Sequence, residues 1–297
     1  MKTKAGFMDV TCSLRIGLVV AVAVFLQHNA TAQITIPYGD AASFSILAGT
    51  EITNSGAGTS IGQNVGLSPA AGTFYAGFNP LVPGQVGGTI YAVDSSGPAG
   101  VAGNNPGLLT DAISDFHATY LAAGSQTPNP VHLGLQLGTQ TLVPGVYTFD
   151  AGTVLLTSGT LTLNGNGVAN PMWIFQVTSD LTTSAGGSIL LENGATPCDI
   201  LWRVPTQATL GEGSTFDGTI MAHTAIVMGT GATLYGRAWA DAQVTLLDDT
   251  ITGLPCTSLG GGEGGGTSVP DSGTTLLLLG SGLAALLGFG RRLRSLV

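Results

Sequence analysis

Between about residues 200 and 250 hydrophobic and polar positions alternate with a period of two. In Thr215 to Ala222, the residues Phe216, Gly218, Ile220 and Ala222 fall on one side and Thr215, Asp217, Thr219 and Met221 on the other. The pattern returns 18 residues later, with Leu234, Gly236, Ala238 and Ala240 on the inner side. Five pairs at that offset are identical: Gly211/Gly229, Gly213/Gly231, Thr215/Thr233, Gly218/Gly236 and Ala222/Ala240. A second alternation at the same spacing puts Leu210, Met228 and Leu246 inward and Thr209, Val227 and Thr245 outward. Short alternating segments, glycines between them and a fixed repeat predict the stacked coils of a three-sided β-solenoid, each side a strand and each corner a tight turn. Upstream, Thr153 to Leu163, Trp173 to Val177 and Ser188 to Glu192 read as strands of less regular coils.

One segment follows the helical period. Leu109, Ala112, Ile113, Phe116 and Tyr120 share a face from which Asp111, Asp115 and Thr119 are excluded. Asn105 before Pro106 is a start signal and Gly124 a stop, so a helix over about 107 to 123 is expected to shield a flank of the solenoid, with His117 at the surface. The fold class is therefore mostly β, with residues 38 to 256 forming one solenoid and one long α-helix packed alongside.

The two ends read as addresses. Lys2, Lys4 and Arg15, the apolar run from Ile16 to Leu26 and the small-x-small site Ala30-Thr31-Ala32 predict a signal peptide over 1–32. After a solenoid domain over 33–258, a glycine-rich linker occupies 259–268. Residues 269–297 hold Val269-Pro270-Asp271-Ser272-Gly273, an apolar stretch from Thr274 to Gly290, and Arg291, Arg292 and Arg294, an order that follows positive-inside logic for a short transmembrane segment. Apart from the terminal cations, only Arg203 and Arg237 remain among the 8 basic residues, against 17 acids in the chain. Such a body has no cationic footprint for nucleic acid. Removal of the leader with Cys12 leaves Cys198 and Cys256, a pair that an oxidising compartment would join as a disulfide; two buried free thiols are the alternative.

The terminal module resembles an exosortase-type sorting signal, the VPDSG variant of the PEP-CTERM class. That resemblance implies retention in the inner membrane by the tail and cutting near the motif by an exosortase-type processing enzyme; a permanent single-pass anchor is the alternative. The body, in turn, resembles the bacterial and fungal ice-binding-like family. The likeness runs in order through Phe44 to Thr50, Ile61 to Gly66, Leu142 to Tyr147, Trp173 to Gln176, Leu181 to Thr183, Gly218 to Ile220 and Gly236 to Ala238. It implies a discontinuous, right-handed β-helix of triangular section and adsorption to ice and its ordered water, with no cofactor and no metal. Active members carry Thr-Ala/Gly-x-Thr/Asn repeats; Thr230-Gly231-Ala232-Thr233 matches, Glu212-Gly213-Ser214-Thr215 lacks the first Thr, and Asp248-Asp249-Thr250-Ile251 reads as having lost the motif. The candidate ice-binding residues are Thr209, Thr215, Thr230, Thr233 and Thr245, taken as one solenoid face. The competing expectation is a non-ice cell-surface adhesion or matrix protein, with extracellular polysaccharide as partner.

Catalysis is not expected. Glycosidases need two carboxyls facing across a substrate, whereas Asp248 and Asp249 are strand neighbours directed to opposite faces. No lysine lies in the body, His117, His132 and His223 lack metal spacing, and no Ser, Cys and His fall into a nucleophile motif.

Overall fold

A computed structural model describes residues 35–78, 84–98, 103–129, 132–157 and 159–259. The leader over 1–32 and the sorting motif Val269 to Gly273 lie outside the described residues. Parallel strands stack into three faces around one apolar interior. The helix-side face runs through Gly145–Thr148, Trp173–Gln176, Ile200–Val204, the second halves of Thr215–Ala222 and Thr233–Ala240, Phe44–Ala48, Asn64–Leu67, Ile90–Ala92 and Gly103–Asn104. The second face, a sheet of seven strands, runs Val154–Leu156, Leu181–Thr183, Gln207–Leu210, Ala225–Met228, Gln243–Leu246, Glu51–Asn54 and Tyr75–Ala76. The third face is built on Thr160–Asn164, Ser188–Glu192, the first halves of the two long strands, Thr250–Ile251 and Ser60–Ile61.

The stacking order is not the chain order. Phe44–Ala48 pairs with Thr233–Ala240, so the N-terminal coils sit on the C-terminal one, and the chain then travels along the helix to the far end before winding back. The 18-residue repeat appears as stacked register, Thr215 on Thr233 through Ala222 on Ala240 and Gln207 on Ala225. The irregular coils are longer: Thr160 pairs with Ser188 and Ser188 with Thr215, because each takes extra residues between the third face and the helix-side face. In the short coils that corner is a bend inside one strand. Gly218 takes φ +105°, and a Cβ there would lie 2.7 Å from the Ile200 Cβ.

The interior follows the expected alternation. Phe216, Ile220, Leu234, Leu210, Met228 and Leu246 are buried, and Phe175 stacks on Trp202 with centroids 3.9 Å apart. The outward assignments need correction. Asp217, on the third face before the Gly218 bend, is buried, and Thr219 and Met221 are buried too because the helix-side face is covered on its outer surface as well. Its cover is α1, Pro106–Gly124, whose Leu109 and Phe116 pack with Leu47, Met221 and Trp239. Burying side chains of this kind stabilises by about 1.5–3 kcal/mol each. Thr119 is buried too, although it stands off the apolar stripe. The strap Ile36–Ser43 covers that flank, Thr119 Oγ1 donates to the Pro37 carbonyl (2.9 Å), and the Asp40 amide donates to Asp115 (2.7 Å).

Both helix ends are fastened. Asn105 Oδ1 accepts from the Leu108 amide (3.1 Å) at the start. At the finish Gln176 Nε2 donates to the Ala123 and Gln126 carbonyls (2.8 Å each), and the Arg203 guanidinium lies 4.3 Å over the Tyr120 ring. His117 is exposed as expected, yet it is not idle. Its Nε2 lies 2.6 Å from one oxygen of Asp241, while His223 Nδ1 lies 2.5 Å from the other.

Candidate functional site

Register places the exposed side chains of the seven-stranded face in columns. The central column reads Leu155, Thr182, Thr209, Val227, Thr245, Thr53 and Ala76, each on the next. Thr182 to Thr53 are therefore five consecutive rungs, four threonines and a valine, spaced by about 4.8 Å as neighbouring strands are. Every one presents a γ-methyl from a β-branched side chain with a stiff χ1. On one side runs a polar column through Gln207, Ala225, Gln243 and Glu51. Gln207 Nε2 donates to Thr209 Oγ1 (2.9 Å), and Thr53 Oγ1 donates to Glu51 (3.1 Å). Asp180, beside Gln207, accepts from Thr206 Oγ1 at 2.6 Å, and chiefly that bond holds its carboxyl below the usual range.

The third face has its own hydroxyl column: Thr160, Ser188, Thr215, Thr233, Thr250 and Ser60. Two of its hydroxyls face one another, Thr160 and Ser188 at 3.0 Å. The adjacent column is uneven, because Leu190 and Tyr235 stand out at 47% and 43% exposure around the buried Asp217. Burial pushes the Asp217 carboxyl up to about 7.

The five candidate threonines thus do not share one face. Thr209 and Thr245 belong to the seven-stranded face, Thr215 and Thr233 to the third face, and Thr230 sits exposed in the turn between them. Three-sided geometry explains the split, because the four-residue turn over 229–232 carries the chain around a corner. Thr182 and Thr53 were missed. They lie outside the 18-residue repeat, Thr182 in a longer coil and Thr53 in the N-terminal coil stacked out of chain order.

The reading of 248–251 also changes. Thr250 stacks on Thr233, so this coil is one residue shorter than the repeat and the final Thr of the motif is kept. Asp248 adopts φ +56° at the shortened corner and accepts from the Gly58 amide (2.7 Å). Asp249 turns inward, accepting from the Ala232 (2.9 Å) and Leu247 (2.6 Å) amides. Burial nonetheless raises its carboxyl to about 6. Neither aspartate is placed as half of a catalytic pair: one caps a loop and the other a turn.

Cys198 and Cys256 are bonded, with Cα atoms 5.7 Å apart. An apolar groove of about 510 Å³ lies beside the helix, lined by Ile113, Tyr120, Leu121, Pro69 and the His117–Asp241–His223 bridge. Among the described residues no cluster of three or more His, Cys, Asp or Glu is placed to hold a metal.

Known proteins share this architecture. Residues 46–252 match the model of the Ice-binding-like family, and residues 268–293 match the VPDSG-CTERM motif. An ice-binding protein of Nostoc sp. (strain HG1) is 33% identical over 281 residues, covering 93% of this chain and 96% of its own. One from Flavobacterium frigoris (strain PS1) is 36% identical over 216 residues, covering 72% and 75%. The crystal structure of an ice-binding protein from an Antarctic biological consortium superposes with a TM-score of 0.65 at 33% identity, over 74% of this chain and 92% of that one. With a family match across the solenoid and relatives of this identity and coverage, the chain belongs to the ice-binding-like family of discontinuous β-helices, and it carries a VPDSG-CTERM sorting motif.

Proposed function

We propose that this chain is an exported, non-enzymatic protein that adsorbs to ice through the seven-stranded face. The observation that carries the reading is the central column, five successive rungs of methyl-bearing residues, four with a hydroxyl. Methyl groups constrain adjacent water, hydroxyls anchor it, and a rigid stack presents both at a fixed repeat. Many weak contacts add because docking orders little that is not already ordered. The third face supports this role less well, since Leu190 and Tyr235 project from it. Thr230 and the Thr215/Thr233/Thr250 column would form the rim of the adsorbing surface.

The relatives named as ice-binding proteins support the same conclusion. The leader, the linker and the sorting motif support export and delivery to the cell envelope or surface, the tail seated in the inner membrane before an exosortase-type enzyme processes it. The test is direct observation of single ice crystals and of recrystallisation in the presence of the purified protein. Faceted crystals and arrested coarsening are expected. Rounded discs and normal coarsening would remove the ice reading and leave a surface adhesion or matrix protein, with Tyr235 and the third-face hydroxyls turned to an extracellular polysaccharide.

A further inference from the structure

The last described residues leave the body at a fixed and strongly held place. Ser258–Leu259 pairs antiparallel with Ile36–Pro37, and Ile36 and Leu259 are both buried in the cluster beneath α1. The segment leading to that pair is fastened twice more. Cys256 is bonded to Cys198, ahead of the strand Ile200–Val204. Arg237, fully buried, donates through Nη2 to the carbonyls of Cys256 (2.6 Å), Ala42 (3.0 Å) and Leu254, with its guanidinium 5.4 Å from the Tyr38 ring. Placing a cation inside the protein carries a large desolvation cost. Here two of the Nη2 hydrogen bonds go to carbonyls of the departing segment and the third to Ala42 of the strap 36–43, so the residue clamps that segment to the body.

Two features of the topology give the clamp a mechanical meaning. Arg237 follows the Gly236 bend, at the corner between the third face and the helix-side face. In a three-sided solenoid that corner lies opposite the threonine column. The coil it belongs to is internal: Thr233–Ala240 has Thr215–Ala222 on one side and Phe44–Ala48 on the other. Pulling on the C-terminal sequence therefore does not load an end coil, from which strands could peel one at a time. Directly after Leu259 come the glycine-rich stretch and the residues that match the sorting motif.

We propose that this protein holds ice while it is itself held by its C-terminal tail: the strap Leu254–Leu259 carries load from tail to body, and the threonine face stays free for the crystal. The proposal rests on the adsorption reading above. Its experiment uses the full chain, tagged after Val297, solubilised in mild detergent and coupled to beads through the tag. The beads are brought to an ice surface under flow, and the same protein is assayed untethered for recrystallisation inhibition. Tail-held wild-type beads should adhere, and Thr209→Tyr beads should not. Cys198→Ser/Cys256→Ser should match wild type untethered yet be lost from ice at lower flow. Treating folded wild-type beads with dithiothreitol makes the same comparison without refolding.

Failure of wild-type beads to adhere, with inhibition intact in the free protein, would overturn the free-face arrangement. Undiminished hold by reduced or doubly substituted beads would overturn the clamp. Absence of inhibition by the free wild type would instead bring down the adsorption reading, a separate failure.

Discussion

Val227 is the one rung between Thr182 and Thr53 that lacks a hydroxyl, and Val227→Thr tests the column with little disturbance. Val and Thr have nearly the same shape, and the site is partly exposed between Thr209 and Thr245, so the new hydroxyl is not buried without a partner. The flanking residue at this level is Ala225, which offers no hydrogen bond to compete for the hydroxyl, unlike Gln207 beside Thr209. If one added hydroxyl contributes a net hydrogen bond of about 1 kcal/mol to the adsorbed state, affinity rises about fivefold. The concentration that half-inhibits recrystallisation should fall by a similar factor, while the melting temperature stays within a degree or two. Thr209→Tyr, one rung away, should abolish inhibition, because a ring standing off the sheet keeps the neighbouring rungs from the crystal. Thr233→Tyr on the third face is the control and should cost far less. Equal loss from Thr233→Tyr, with no response to Val227→Thr or Thr209→Tyr, would show that the third face is the adsorbing one.

The remaining predictions concern the scaffold. Removing the Cys198–Cys256 bond releases a loop of 58 residues, for which chain entropy gives about 4 kcal/mol; calorimetry with and without reductant should show a fall of about 8–16 °C, and an unchanged transition would mean the bond adds nothing. Asp217 has a folded-state carboxyl raised from 3.8 to about 7, so its stabilisation is complete below pH 4 and is lost as pH rises through 7, a difference of about 4 kcal/mol at most. Asp217→Asn should flatten that decline and raise stability at pH 8 in urea titrations; an equal decline in the variant would assign it to another group. Gly218→Ala should destabilise by about 2–4 kcal/mol, because a side chain at φ +105° is strained and its Cβ would meet Ile200. Wild-type stability would show that the corner can relax.

Alternation and an 18-residue repeat are local properties, so the solenoid, its corner glycines and the inward set Phe216, Leu234, Leu210, Met228 and Leu246 could be read from the chain alone. The helix was equally legible, since its stripe and its Asn105-Pro106 start are confined to a few turns. What covers what is not a local property. Met221 and Trp239 occupy outward positions of their strands and are buried only because α1 and the strap 36–43 close over them, and Thr119 is polar by pattern yet lies between helix and strap. Face membership depends on how many residues each corner consumes. Thr209 and Thr233 look equivalent in a linear repeat and stand on different faces, while Thr250 replaces Ile251 because one corner is a residue shorter. The complete column was beyond sequence reading for the same reason. Thr53 joins Thr245 across almost 200 residues of chain, through a stacking of the first coils on the last that tertiary packing alone decides.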